Sequence, residues 1–141
     1  MKFSFFLLVI SILISPLKAM ADFGNDICLY KAEITKEATK LPAKIDDITE
    51  LKDITCAEGV PTKFQYQYEI STYLNDDLKK SANSFMVKNV FPKLNQTWCT
   101  TPSFLQMIEL FDIEFIYRDL GGNEFLRHRI MLKDCSPFIK K

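Results

Sequence analysis

The sequence predicts an α+β fold: an antiparallel sheet of about four strands, made from two hairpins, with helices packed on one face. Three observations carry this expectation. Phe64, Tyr66, Tyr68 and Ile70 alternate with Lys63, Gln65, Gln67 and Glu69, the period-two pattern of a strand covered on one side only. Between residues 75 and 98 the apolar residues instead recur at helical spacing. Two clusters of turn residues, Glu58-Gly59-Val60-Pro61 and Leu120-Gly121-Gly122, each separate a pair of strand-like runs. The element order is then α-β-β-α(α)-β-β, a two-layer arrangement in which helical stripes cover the aromatic face of the sheet.

Each element has its own local reason. Residues 26–41 read as a helix capped by Asp26, with Ile27, Tyr30, Ile34, Ala38 and Leu41 on one stripe and Lys31, Lys36, Glu37 and Lys40 mainly opposite. Pro42 ends it, because its ring and missing N–H cannot continue a helix. Residues 49–57 and 62–73 form the first hairpin. Asn75 caps the long helix over 75–98, and Asp76 and Asp77 suit the positive end of its dipole. Its stripe runs through Leu78, Ala82, Phe85, Met86, Val90, Phe91, Leu94 and Trp98, with a kink or break at Pro92. Thr101-Pro102 starts a shorter helix bearing Leu105, Ile108 and Phe111. Residues 112–118 and 123–133 make the second hairpin, with Ile113, Phe115 and Tyr117 facing one side and Leu126, His128, Ile130 and Leu132 forming the apolar face of the partner strand.

The first residues carry an address. Lys2 precedes an apolar run over 5–14, then Ser15-Pro16, and Ala19-Met20-Ala21 offers small residues at a cleavage site. This is the pattern of a secretory signal peptide, and the run falls well short of the roughly 20 residues a membrane span needs. The sequence thus predicts a cleaved segment 1–21 and a single domain over 22–141, soluble and without a membrane anchor. Cys28 lies too far from the cleavage site to be a lipid attachment point. The part after residue 21 holds sixteen basic and eighteen acidic residues, a net charge that gives no general attraction to nucleic acid. Only Lys140-Lys141 forms a small basic end.

Four cysteines, Cys28, Cys56, Cys99 and Cys135, all lie beyond the signal segment. An even number in an exported chain points to disulfides. Three pairings are open to them. Chain order favours Cys28–Cys56 and Cys99–Cys135, each closing within one helix–hairpin half. There is no CxxC and only one histidine, so zinc lacks its usual ligands, and no metal or cofactor is expected.

Catalytic constellations are equally sparse. A Cys–His or Ser–His–Asp arrangement would have to use His128, which falls mid-strand between Arg127 and Arg129 and reads as structural. GxSxG and phosphate-loop motifs are absent. Paired carboxylates remain: Asp46-Asp47, Asp76-Asp77 and Glu109 with Asp112, the first two explained by a solvated connection and a helix start. Asn95-Gln96-Thr97 matches a glycosylation acceptor but lies in a helix. Tyr66 and Tyr68 could form a binding platform, although their alternation with polar neighbours favours core packing. No catalytic residue is assigned.

One resemblance rests on the C-terminal half. Trp98-Cys99-Thr100, Pro102, Leu105, the strand end Phe115-Ile116-Tyr117-Arg118-Asp119, Gly121-Gly122 and Asp134-Cys135 resemble small Sec-exported bacterial proteins of uncharacterised function. In these a Cys before a short helix and a Cys after the last strand bracket a YxYRDxxG hairpin. The Leu41-Pro42 step and residues 45–51 extend the likeness loosely over the chain, and Phe115 stands where a first Tyr is common. The resemblance implies a scaffold and transfers no activity. The expected function is a non-enzymatic binding module of the periplasm or extracellular space whose partner is another envelope or secreted protein. The alternatives are a periplasmic inhibitor or immunity protein, using the loops 57–63 and 120–123, and a carboxylate-based hydrolase.

Overall fold

The computed structural model describes residues 22–139; the expected signal segment and the Lys140-Lys141 end lie outside them. Helix α1 (22–39) leads into β1 (Ala43–Lys44), β2 (Thr49–Ala57) and β3 (Lys63–Ile70). Helix α2 (Asp76–Phe85) passes through a π-helical turn, Met86–Val90, into α3 (Phe91–Thr100), followed by α4 (Pro102–Leu110). Strands β4 (Asp112–Arg118) and β5 (Glu124–Ile130) and a 3-10 turn, Leu132–Cys135, complete the chain. The sheet has five strands in the order β1-β2-β3-β4-β5. The α+β class and the element order are those the sequence predicts, with two-residue β1 as an added strand.

The two hairpins join through β3 and β4, which run parallel, Phe64 beside Ile113 and Tyr66 beside Phe115. Every other pairing is antiparallel. A parallel pair needs a long crossover, and α2, the π turn, α3 and α4 supply it. The long helix does break where Pro92 interrupts the pattern: the π turn precedes it, and the proline sits in the first turn of α3. Asn75 caps α2 by accepting from the Leu78 N–H at 2.8 Å. Thr101 occupies the cap position of α4 but its side chain makes no capping hydrogen bond.

Most of the expected inward stripe of α1 is turned out: Ile27 and Leu41 pack at the edge of the core, but Tyr30, Ile34 and Ala38 do not. Cys28 and Ala32 are its buried residues, while Tyr30 and Ile34 are 69% and 49% exposed. The cause is the Cys28–Cys56 disulfide. It fixes Cys28 against β2, and each helical residue is rotated about 100° from the last. Ala32, one turn on, is small enough to allow close approach, and the larger stripe is carried to the flank. The helix also begins before Asp26, which is therefore not its cap, and ends at Thr39, where Lys40 turns away with φ 57°. β5 likewise stops short of the expected 133. The Asp134 carboxylate accepts the Met131 N–H at 2.8 Å and opens the 3-10 turn that brings Cys135 to Cys99. Leu132 is left 47% exposed instead of on the apolar face.

Phe64, Ile54, Ile113 and Ile130 are fully buried, and Phe111, Phe115, Trp98 and Ile108 join them in the core beneath the helices. The opposite face of the sheet is polar and is organised around Glu114, which has no exposed surface. Its carboxylate accepts from Gln65 Nε2 at 2.8 Å, Arg129 Nη2 at 3.0 Å and Arg127 Nη1 at 3.4 Å. Burial pushes the Glu114 pKa up, but these hydrogen bonds and the two guanidinium charges outweigh it and hold it below the ordinary value. Thr55 and Gln67 extend the network across β2 and β3, and Arg118 donates to Gln67.

Two predictions test the faces. Phe64→Ala should cost about 3–5 kcal/mol, as truncation of a buried aromatic does, and Lys63→Ala no more than about 0.5 kcal/mol; equal midpoint shifts in urea unfolding would contradict the register. The depressed Glu114 pKa contributes stability that is fully present above the unfolded value, about pH 4, and is lost as pH falls through the folded one. Glu114→Gln should therefore lower stability at neutral pH and flatten its decline in acid. An unchanged acid limb would show that the carboxylate is not linked to folding.

Candidate functional site

The amphipathic face of α2 has no core of its own. Leu78, Ala82 and Phe85 recur at helical spacing, yet no residue of α2 is buried, and Leu78 and Phe85 are 50% and 60% exposed. Beneath this face lies a groove of about 750 Å³. Its floor is the helix-side surface of the sheet: Tyr68 and Ile70 of β3, Phe115 and Tyr117 of β4, Phe125 and Leu126 of β5. Met86 and Val90 of the π turn and Leu94 of α3 close the far end. The near wall is the connection after β1, where Ile45 and Ile48 are 56% and 54% exposed.

Each wall is held by local chemistry. Asp46 accepts the N–H groups of Ile48 and Thr49 at 2.9 and 2.8 Å. The Ile48 bond is the largest influence on its carboxyl, which sits below the ordinary range. This turn presents Ile45 and Ile48 side by side. On the other side, Asp119 is 2% exposed and accepts from Gly121 N at 3.0 Å and Asn123 N at 3.1 Å. Burial raises its pKa, but bonds from Asn123, Leu74 and Gly121 prevail and lower it. The Leu120 N–H also donates to the Thr72 carbonyl. The β4–β5 turn therefore anchors residues 72–74, from which α2 departs. Gly122 supplies the positive φ of 80° this turn needs; Gly121 does not.

The floor is aromatic with polar tips. Tyr68 and Tyr117 stack with ring centroids 4.8 Å apart, and Tyr66 stacks on Phe115 at 5.3 Å. Burial pushes the Tyr117 phenol up to about 12, with the nearby Asp46 charge adding to it, and pushes Tyr68 up further. Both remain neutral hydroxyls able to donate and accept. Such a site has no activated nucleophile. It is an apolar surface with a few convergent polar groups, the composition of a binding site.

The residues singled out from the sequence are dispersed. His128 lies on the helix side of β5, stacked on Phe91 at 4.0 Å, with Nε2 2.7 Å from Asn95 Oδ1. Burial lowers its pKa. The flanking Arg127 and Arg129 take no part in this, because both point to the polar face toward Glu114. Asn95 of the glycosylation pattern is half-buried and engaged by His128. Asp112 is raised by burial, whereas Asp76 and Asp77 lie in the first turn of α2. Tyr66 and Tyr68 both pack on the core, as expected, and each also lines an opening: Tyr68 the groove, Tyr66 a cleft between α1 and α4. The four cysteines form the two disulfides Cys28–Cys56 and Cys99–Cys135. No helix among the described residues is long and apolar enough to cross a membrane. The groove itself carries no signal in the sequence, since Leu78, Phe85 and Met86 read as ordinary core positions.

By sequence, no known protein family and no curated relative matches the chain. The fold does recur. A protein of Pseudomonas aeruginosa described as secreted superposes with a TM-score of 0.65 at 11% identity, over 82% of this chain and 96% of that one. EpsS, the pilotin of the Vibrio vulnificus type 2 secretion system, superposes with a TM-score of 0.60 at 7% identity, over 85% and 98%. AspS, the type II secretion system pilotin of Vibrio cholerae, gives 0.51 at 12% identity, over 84% and 98%. At these identities the chain shares their fold, that of an α+β scaffold found in secreted and secretion-system proteins.

Proposed function

We propose that this protein is an exported, non-enzymatic binding module that takes an apolar segment of another envelope or secreted protein in the groove beneath α2. The observation that carries the reading is the unfilled apolar face of α2, opposed across the groove by the exposed Ile45 and Ile48. Burying such a face is what drives a helix to pack, and here the chain leaves it to a partner. An amphipathic helix laid in a hydrophobic groove is a recurring mode of peptide recognition. Two proteins of the same fold are pilotins of type II secretion systems, which supports a partner within an envelope assembly. Residues 1–21 serve as the cleaved signal, Asp22 starts the mature chain, and residues 22–141 act as one domain. Two disulfides suit an oxidising compartment outside the cytoplasm.

Site-specific photo-crosslinking in the native envelope tests this reading. A crosslinker placed at Phe85 or Ile48 should give one defined protein adduct, and a crosslinker at Arg127 on the polar face should not give it. Leu78→Glu should abolish the Ile48 adduct while the protein stays folded, because Leu78 is half exposed. Equal adducts from both faces, or an Ile48 adduct indifferent to Leu78→Glu, would refute the groove as the binding site.

A further inference from the structure

Helix α1 has two apolar faces, and the fold consumes one of them. Cys28 and Ala32 face the core, 0% and 2% exposed. The second face runs through Phe23, Ile27, Tyr30 and Ile34, separated by four, three and four residues. These are a and d spacings of a heptad, the pattern by which one helix packs along another. Ile27 is half-buried at the edge of the core, whereas Phe23, Tyr30 and Ile34 are 67%, 69% and 49% exposed. Lys31, which flanks this face, and Thr35 line a cleft of about 570 Å³ between α1 and α4.

The flanking charges choose an occupant. With Ile27 and Ile34 at a positions, Asp26 falls at g and Lys31 at e. Neither has an ion-pair partner among the described residues. Side by side and parallel, two copies of α1 bring g of one against the following e of the other. Asp26 then meets Lys31 of the second copy, and the two-fold symmetry repeats the pair. An antiparallel arrangement instead sets g against g, placing Asp26 near Glu33 of the second copy, an acid against an acid. The sequence of α1 thus complements itself in one orientation.

We propose that the Phe23–Ile27–Tyr30–Ile34 face is the interface of a two-fold symmetric homodimer in which the two α1 helices pack in parallel. The interface is separate from the groove beneath α2, so the dimer and the groove reading stand or fall independently.

Sedimentation equilibrium of the exported, disulfide-intact protein provides the test. A reversible monomer–dimer equilibrium is expected, and Tyr30→Glu should weaken it about tenfold or more. Leu29→Glu, on the far side of the same exposed helix surface, should leave it unchanged. Asp26→Lys alone should weaken dimerisation, and combining it with Lys31→Asp should restore it. Circular dichroism confirms that each variant is folded, and Ile34→Gln provides a milder second probe of the stripe. A monomer at every concentration would overturn the proposal, as would a dimer indifferent to both Tyr30→Glu and Ile34→Gln. A dimer sensitive to the stripe but not restored by the charge exchange would overturn the parallel orientation.

Discussion

The parallel pairing of β3 with β4 is the constraint on which the rest of this structure depends. It places Phe64 beside Ile113 and Tyr66 beside Phe115 at the centre of the sheet. The chain must then travel from one end of the sheet back to the other before β4 can begin, and the whole helical layer from Asp76 to Leu110 is that return path. All of it lies on the face carrying Phe64 and Phe115. The Cys99–Cys135 disulfide ties the late part of the crossover to the turn after β5, and Cys28–Cys56 ties α1 to β2. In a chain-entropy account each crosslink stabilises by about 3–4 kcal/mol, because it restricts the unfolded chain.

The crossover is anchored unevenly on the sheet, and the groove lies where the anchoring is missing. α3 is anchored by Phe91, Trp98 and Cys99, all buried. α2 has no such anchor: none of its residues is buried. Between them the π turn changes the helical register, so the stripe beginning at Leu78 does not continue directly into the buried stripe of α3. The result is a fixed floor, a fixed end and a wall that lacks an internal partner. Asp46 and Asp119 hold the loops on either side with backbone hydrogen bonds, so the opening is shaped by rigid turns. Binding surfaces held in this way lose little conformational freedom when occupied.

The polar side of the sheet solves a different problem. β4 is an interior strand, flanked by β3 and β5, with Glu114 and Ile116 both almost completely buried although no helix among the described residues covers that face. Arg127, Arg129 and Gln65 fold over them from the neighbouring strands. A buried carboxylate is tolerable only when paired and hydrogen-bonded, and here three side chains from two strands supply the bonds. That network also explains why His128 escapes its arginine neighbours: alternation along β5 sends them to the opposite face.

Much of this was legible in the sequence because it rests on short-range rules. The alternation from Lys63 to Ile70, the Asn75 cap, the break around Pro92 and the limits of β4 follow from local periodicity and backbone chemistry, as does the tendency of neighbouring cysteines to close within one half of the chain. What only tertiary structure decided depends on how elements meet. The parallel β3–β4 join is invisible locally, because a strand carries the same alternation whichever way its neighbour runs. The rotation of α1 was set by a covalent bond at Cys28, which overrode the larger stripe of Ile27, Tyr30 and Ile34. The groove was hidden for a related reason: Leu78 and Phe85 have the spacing of core residues, and spacing states that a face is apolar without stating whether the same chain covers it.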